Sequence, residues 1–322
     1  MPRYDVPPEI RDLADIRASA RRARDWATAD RVKDELAAMG WRVVDAGTLY
    51  SLERAAAPDV EEDGVVRYGA AVTVPSRLEE PATGTATVVI VATAATGDVT
   101  GAVRAVRAGS PGIPVVVVAA GVTPETAAAL STLGDEAEVV WLATRQGHAT
   151  ALNAGIRRVA TPVVLLLDAA VGVTGDLAGA LVAALDDPTV AVAGPYGLLS
   201  ANLRRFEPAG HDAVDVVAID GAAMAFRRAD FIARGPLDEH FETAASLDTW
   251  WSLVVRDFGE DDPEDAMPRR AVQAGRATVG RRGEPAVPPP GSNAARQAKR
   301  GFYRVLKRFA TRRDLLVGGA GE

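Results

Sequence analysis

The chain has no cysteine. Disulfides and cysteine-ligated zinc or iron–sulfur centres are therefore excluded. Only three histidines occur, His148, His211 and His240, too scattered for a His-rich metal motif. Long apolar runs are also missing: none approaches the roughly 18–20 residues that a membrane span needs. The opening "MPRYDVPPEIRDL" has no apolar signal core. A cytoplasmic protein, at most peripheral at the inner face of a membrane, is the expectation. There is no excess of positive charge either. Net charge is -7, which argues against wholesale nucleic-acid binding.

What is present is a 48% hydrophobic chain of 322 residues, enough for one large domain or two smaller ones. Residues 1–55 read as a small module of two helices and a hairpin. In "WATADRVKDELAAMG", Trp26, Ala29, Val32, Leu36 and Met39 recur at steps of three and four, which predicts one apolar helix face. Residues 56–84, rich in Ala, Pro, Glu and Asp, read as a linker with a short strand at "GVVRYG". From residue 85 to 275, "ATVVIVATA", "PVVVVAA", "AEVVWLA", "PVVLLLD" and "TVAVAGP" are strands buried on both faces, alternating with helices. That alternation predicts an α/β fold, a mainly parallel sheet with helices on both faces. Thr123 and Thr174 are the expected caps of two of those helices. Residues 276–322 read as a loop and a basic amphipathic helix. Eight basic residues and no acid lie between Arg296 and Arg313, and Phe302, Leu306 and Phe309 form its predicted apolar face.

In a parallel sheet, ligands bind beyond the carboxyl ends of the strands. Asp168 ends one, in "VVLLLDAAVGVTGDL". Read alone, it is a turn cap as readily as a ligand of phosphate or metal. In "RQGHATALNAGI", Gly147 permits a turn into a helix that carries Asn153 and Gly155. The helix offers amides and N–H groups to a sugar or phosphate, or is an ordinary helix with a polar face. In "PLDEHFETAASLDTWW", Asp238, Glu239 and Asp248 precede a tryptophan pair. A carboxylate there suits deprotonation of an acceptor hydroxyl, and Trp250 and Trp251 suit a sugar face. The same residues also suit a core and a helix cap.

Taken in order, "GHATALNAGIRRVATPVVLLLDAAVGVTGDL", "DGAAMAFRRADFIARGPLDEHF" and "LDTWWSLVVRDFG" resemble a family 2 glycosyltransferase domain of GT-A fold. The resemblance implies inverting transfer of a sugar from a nucleotide-diphospho sugar to a glycan, lipid-linked or other cell-envelope acceptor. It implies that Asp248 is the catalytic base and Gly221 opens the acceptor-side segment, with Asp238, Glu239, Trp250 and Trp251 nearby. Gly147, Asn153 and Asp168 fall on the donor side. Asp168 would hold Mg²⁺ or Mn²⁺, or contact ribose and diphosphate without a metal. The pattern departs where the second metal acid should be, at Ala170. It departs again at Ala119 and Ala120, where an acid should meet the base, and at Leu247, before the presumed base. No histidine gate follows; Arg281 and Arg282 stand in that region. These departures keep open a catalytically silent, glycosyltransferase-like binding or assembly protein.

The stretch "ARRARDWATADRVKDELAAMGWRVVDAGTLYSLER" resembles the C-terminal helical appendage of cysteinyl-tRNA synthetases. The resemblance implies a module that contacts RNA, and with it an RNA-associated accessory protein as a minor alternative. The chain has none of the synthetase's catalytic motifs.

Overall fold

A computed structural model describes residues 6–46, 49–54, 58–62, 64–257, 268–281 and 288–317. The chain divides into two compact units, Met1–Asp59 and Val60–Glu322.

The first unit packs α1 (Pro8–Arg22) and α2 (Trp26–Ala38) against an antiparallel hairpin of β1 (Trp41–Ala46) and β2 (Leu49–Arg54). Its core is Ile10, Ala14, Val32, Leu36 and Trp41. The expected α2 face holds in its middle, where Ala29, Val32 and Leu36 are buried. It fails at its ends: Trp26 is 57% and Met39 43% exposed. So small a core has no room for every apolar residue in register. Arg17 is buried, its charge met by a bidentate pair to Asp45 at 2.9 and 3.0 Å.

The second unit begins with β3 (Val60–Glu62) and β4 (Val65–Tyr68). Part of the segment expected as linker is thus strand, and it forms the edge of the main sheet. Then come β5 (Ala86–Ala92), α3 (Val99–Gly109), β6 (Val115–Ala119), α4 (Pro124–Ser131), β7 (Glu138–Leu142) and α5 (His148–Ile156). They are followed by β8 (Val163–Leu167), β9 (Val171–Val173), α6 (Leu177–Leu185), β10 (Val190–Gly194), β11 (Gly197–Leu199), β12 (Glu207–Pro208), β13 (Asp215–Val216) and β14 (Ala218–Ile219). Last are β15 (Ala223–Arg227), α7 (Arg228–Arg234), α8 (Leu247–Arg256), β16 (Arg270–Gln273), β17 (Val279–Arg281) and α9 (Asn293–Phe309).

Among the described residues, ten strands form one sheet in the order β13-β16-β10-β15-β8-β5-β6-β7-β4-β3. The block from β8 to β4 is parallel; β15 runs antiparallel between β8 and β10. Successive side chains of a strand point to opposite faces. Val89, Val116 and Val118 accordingly join the core under α5 and α8, while Val88, Ile90, Val115 and Val117 join the core under α3 and α6. The expected mainly parallel sheet, covered on both faces, is the fold.

Local chemistry explains the helix starts. Thr123 caps α4 by accepting from the Thr126 N–H at 3.2 Å, as expected. For α6 the cap is Asp176, not Thr174. Its carboxylate takes the Gly179 N–H at 2.9 Å and the Ser110 hydroxyl at 2.6 Å. Gly155 serves packing rather than ligand contact. A Cβ there would lie 2.5 Å from Val89 and 2.8 Å from Val118, so glycine lets α5 lie flat on the sheet.

Candidate active site

Asp248 sits in the first turn of α8 and faces the segment after β14. Its Oδ2 accepts the Gly221 N–H at 2.7 Å, and its Oδ1 accepts the Thr249 N–H at 2.7 Å. One turn on, Ser252 accepts the Ile219 N–H at 3.0 Å. The spacing matches: residues four apart on a helix are separated by about 6 Å, close to two residues of extended strand. Asp248 and Ser252 therefore fasten α8 along residues 219–221. Gly221 leaves room for this, since a Cβ would come within 3.3 Å of the Asp248 carboxylate. Burial pushes the Asp248 carboxyl up to about 6. The Thr249 N–H pulls against that rise, the Asp220 carboxylate adds to it and the Gly221 N–H opposes it.

Asp248 lines a cavity of about 390 Å³ together with Arg204, Arg205, Phe206, Ser246, Thr249 and Phe302. Ser246, immediately before α8, has φ +65°, and Leu203, immediately before the arginines, has φ +56°. Left-handed backbone at two non-glycine residues costs energy that surrounding contacts must meet.

The other residues expected on the acceptor side are elsewhere. Trp251 is 1% exposed and packs edge-on against Phe226 and Phe231, in the core. Trp250 packs against Phe241 and Phe309 beneath α9. Neither tryptophan lines the cavity; Phe206 and Phe302 supply its aromatic surface. Asp238 bonds the His240 ring at 2.7 Å and Arg304 Nε at 2.8 Å, tying α9 to the loop before α8. Burial pushes the Asp238 carboxyl up, but the His240 N–H and ring together with Arg304 hold it below the usual range. Glu239 accepts from the Asn153 amide at 3.1 Å.

The residues expected on the donor side also serve structure. Asn153 is 3% exposed. Its Oδ1 accepts the Leu237 N–H and its Nδ2 donates to the Leu237 carbonyl, both at 3.0 Å. The α5 N-terminus is not open to an anion, because the His148 and Ala149 N–H groups already donate to Glu242 and Phe241 carbonyls at 3.0 and 3.1 Å. Gly147 lies against Glu242, where a Cβ would approach the backbone to 3.2 Å. Asp168 is exposed at the end of β8 and accepts the Ala170 N–H at 2.9 Å, closing a turn on itself. Its own N–H donates to the Ala222 carbonyl at 3.0 Å, which sets it beside the Gly221 segment. Among the described residues, no group of three His, Asp or Glu is placed to hold a metal ion. A divalent cation held at Asp168 would therefore draw ligands from diphosphate and water as well. Arg282 lies outside the described residues. The Arg281 backbone pairs with Val171 in β9.

Residues that sequence reasoning passed over are His148, Asp220, Arg204, Arg205 and Phe206. Burial holds the His148 imidazole below its ordinary value, and the Asp168 carboxylate opposes that fall, so the two are electrostatic neighbours. The adjacency of Asp220 to Gly221 was a usable signal. Nothing in the pattern of "LRRF" foretold its place beside Asp248. The basic helix α9 buries Gly301, Val305 and Phe309 rather than the expected Phe302, Leu306 and Phe309. The stripe is turned by one residue where Gly301 meets Phe241: a Cβ at position 301 would lie 3.1 Å from that ring, and glycine leaves the room.

Short stretches of the chain match curated cysteine–tRNA ligases. The match is 46% identical over 54 residues for Opitutus terrae, covering 17% of this chain and 12% of that protein. It is 54% over 41 residues for Burkholderia lata, covering 13% and 9%. The chain therefore spans about a tenth of those relatives, and these are short partial matches. Two solved structures are similar: Staphylococcus aureus TarS, and the mannosyltransferase PcManGT from Pyrobaculum calidifontis in complex with GDP-Man and Mn²⁺. The first is 14% identical with TM-score 0.43, over 53% of this chain and 33% of that one. The second is 20% identical with TM-score 0.47, over 72% and 66%. Residues 87–228 match the profile of Glycosyl transferase family 2. That stretch, 142 of the 322 residues, runs from β5 to the start of α7 and takes in the parallel core of the main sheet, so this part of the chain is similar to a family 2 glycosyltransferase domain.

Proposed function

We propose that the protein transfers a sugar from a nucleotide-diphospho sugar to an acceptor hydroxyl, with inversion. The observation that carries this reading is Asp248: a carboxylate in a cavity, its pKa raised to about 6, held in aim by two backbone N–H groups. A base with pKa near the working pH combines availability with driving force. As the acceptor oxygen bonds the anomeric carbon, its proton passes to Asp248. The bond from that carbon to the diphosphate breaks, and the nucleoside diphosphate leaves. A single displacement inverts the centre. A divalent ion, where bound at Asp168, would supply charge neutralisation of the leaving diphosphate; no step above depends on it.

Calorimetry with UDP-, GDP- and dTDP-sugars, with and without Mn²⁺, tests the reading. Donor binding together with acceptor-dependent release of nucleoside diphosphate is expected. The second reading, a silent binding or assembly protein, draws on the lack of a three-ligand metal group among the described residues. Absence of binding across the panel would favour it. Among the described residues no helix is long and apolar enough to cross a membrane. The outer face of α9 exposes Arg296, Lys299, Arg300, Tyr303 and Lys307, which suits peripheral contact with an anionic bilayer. Sedimentation with vesicles of stated anionic content measures it. For the N-terminal module, a flat tRNA shift assay at low salt would remove the RNA reading.

A further inference from the structure

The cavity beside Asp248 carries more positive charge than its chemistry as a base requires. Arg204 and Arg205 both line it, and neither bonds Asp248, whose oxygens take the Gly221 and Thr249 N–H groups. Arg205 pairs with Glu207 at 3.0 Å, an exposed pair of little strength. The Arg204 guanidinium has no hydrogen-bond or ion-pair partner among the described residues. The loop that carries them is built rather than loose. Leu203 is 1% exposed and anchors it in the core. The Ser200 hydroxyl accepts the Leu203 N–H at 2.9 Å and donates to the Arg205 carbonyl at 2.6 Å. The Asn202 carboxamide accepts the Arg204 and Arg205 N–H groups at 2.9 and 3.2 Å. Across the cavity, Phe302 comes from α9, which Asp238 fastens through Arg304. Two guanidinium groups, two phenyl rings and one base thus share a space of about 390 Å³, within the range of small-ligand sites, roughly 300–1,000 Å³.

We infer that the acceptor is anionic: it presents a phosphate or carboxylate to Arg204 and Arg205 while its hydroxyl meets Asp248 and its apolar face lies between Phe206 and Phe302. Guanidinium forks match both anions in shape, and a charge-assisted pair fixes orientation as well as affinity. Bound in this way, the acceptor hydroxyl is turned toward the base. This inference rests on the reading of Asp248 as the base, and it names the substrate class of that site.

The test uses the full chain and four probes at low salt, followed by ligand-observed NMR: glycerol 1-phosphate, glucuronate, and their neutral counterparts glycerol and glucose. The charged probes should bind and the neutral ones should not. Relative preference between the two charged probes tells phosphate from carboxylate. R204Q/R205Q should weaken the charged probes at least about tenfold, and Arg104→Gln, on the exposed face of α3, should leave them unchanged. Circular dichroism checks that both variants fold. Equal binding of charged and neutral probes overturns the inference, as does binding that survives R204Q/R205Q. UDP and GDP are titrated in parallel. If the double variant weakens them by the same factor, the arginines serve the donor and the inference fails. Charged-probe binding lost in R204Q/R205Q, with no nucleotide sugar bound by wild type, would leave the anion site standing while removing the transferase reading.

Discussion

The two ends of the candidate site are built to different standards. Around Asp248, backbone donors clamp the carboxylate, burial and Asp220 tune its charge state, and a cavity with its own arginines opens beside it. Among the residues proposed for the donor side, Asp168 stands exposed with alanine at position 170, while Gly147 and Asn153 are occupied in packing and hydrogen bonding. The difference teaches that motif positions of one family need not share one fate. Gly147 and Asn153 hold the fold through packing and hydrogen bonds, whereas Asp168 closes only a local turn.

The comparison breaks most sharply at Asp248. Asp248→Asn retains an oxygen for the Gly221 N–H, so the fastening of α8 should survive while turnover falls roughly 10²–10⁴-fold and donor affinity holds. Ser252→Ala is the control. It removes the equivalent bond one turn away, and if it costs as much turnover, Asp248 acts only as a fastener. Next in size, Asn153→Ala deletes bonds to both backbone groups of Leu237. It should destabilise the fold by about 2–3 kcal/mol in urea melts. A drop in donor affinity without that loss would return Asn153 to the donor site. Ala170→Asp places an acid where the family resemblance expects one; Mn²⁺-dependent donor affinity should rise on the order of tenfold. No change in calorimetry would mean that Asp168 does not hold metal.

Within one pH unit the effect of pH is no larger than that of Ala170→Asp, and it is graded. On the proposed reading the deprotonated Asp248 is the base, so kcat/KM should fall about tenfold per pH unit below about 6 and level off above it. Stability runs the other way. A carboxyl with a raised pKa favours the folded state below its unfolded value near 4, and that contribution is lost as pH rises through about 6. Asp248→Asn should flatten both profiles.

How much was legible depended on the range of the interaction. The strands of the sheet were visible because a run such as "PVVLLLD" can be buried on both faces only in a sheet covered by helices. Asp248 was visible as an acid at a helix start. The meaning of Asn153 was not, because its partner Leu237 lies 84 residues away. The tryptophan pair misled because adjacent residues on a helix point about 100° apart: Trp251 entered the core and Trp250 went under α9, leaving no joint aromatic floor. The α9 stripe was missed by one position because its choice depended on Phe241, on another element.

The sequence by itself determined the alternation of strands and helices, the absence of cysteine and the alanine at position 170 where the family resemblance expects an acid, since composition, local periodicity and motif order carry these without reference to distant residues. Only the tertiary structure decided that Arg204, Arg205 and Phe302 share a cavity with Asp248, and that Asn153 and Asp238 do not. Those placements are set by packing between segments some 45 to 100 residues apart, and no local pattern in the chain encodes which of two helix faces or strand ends such contacts select.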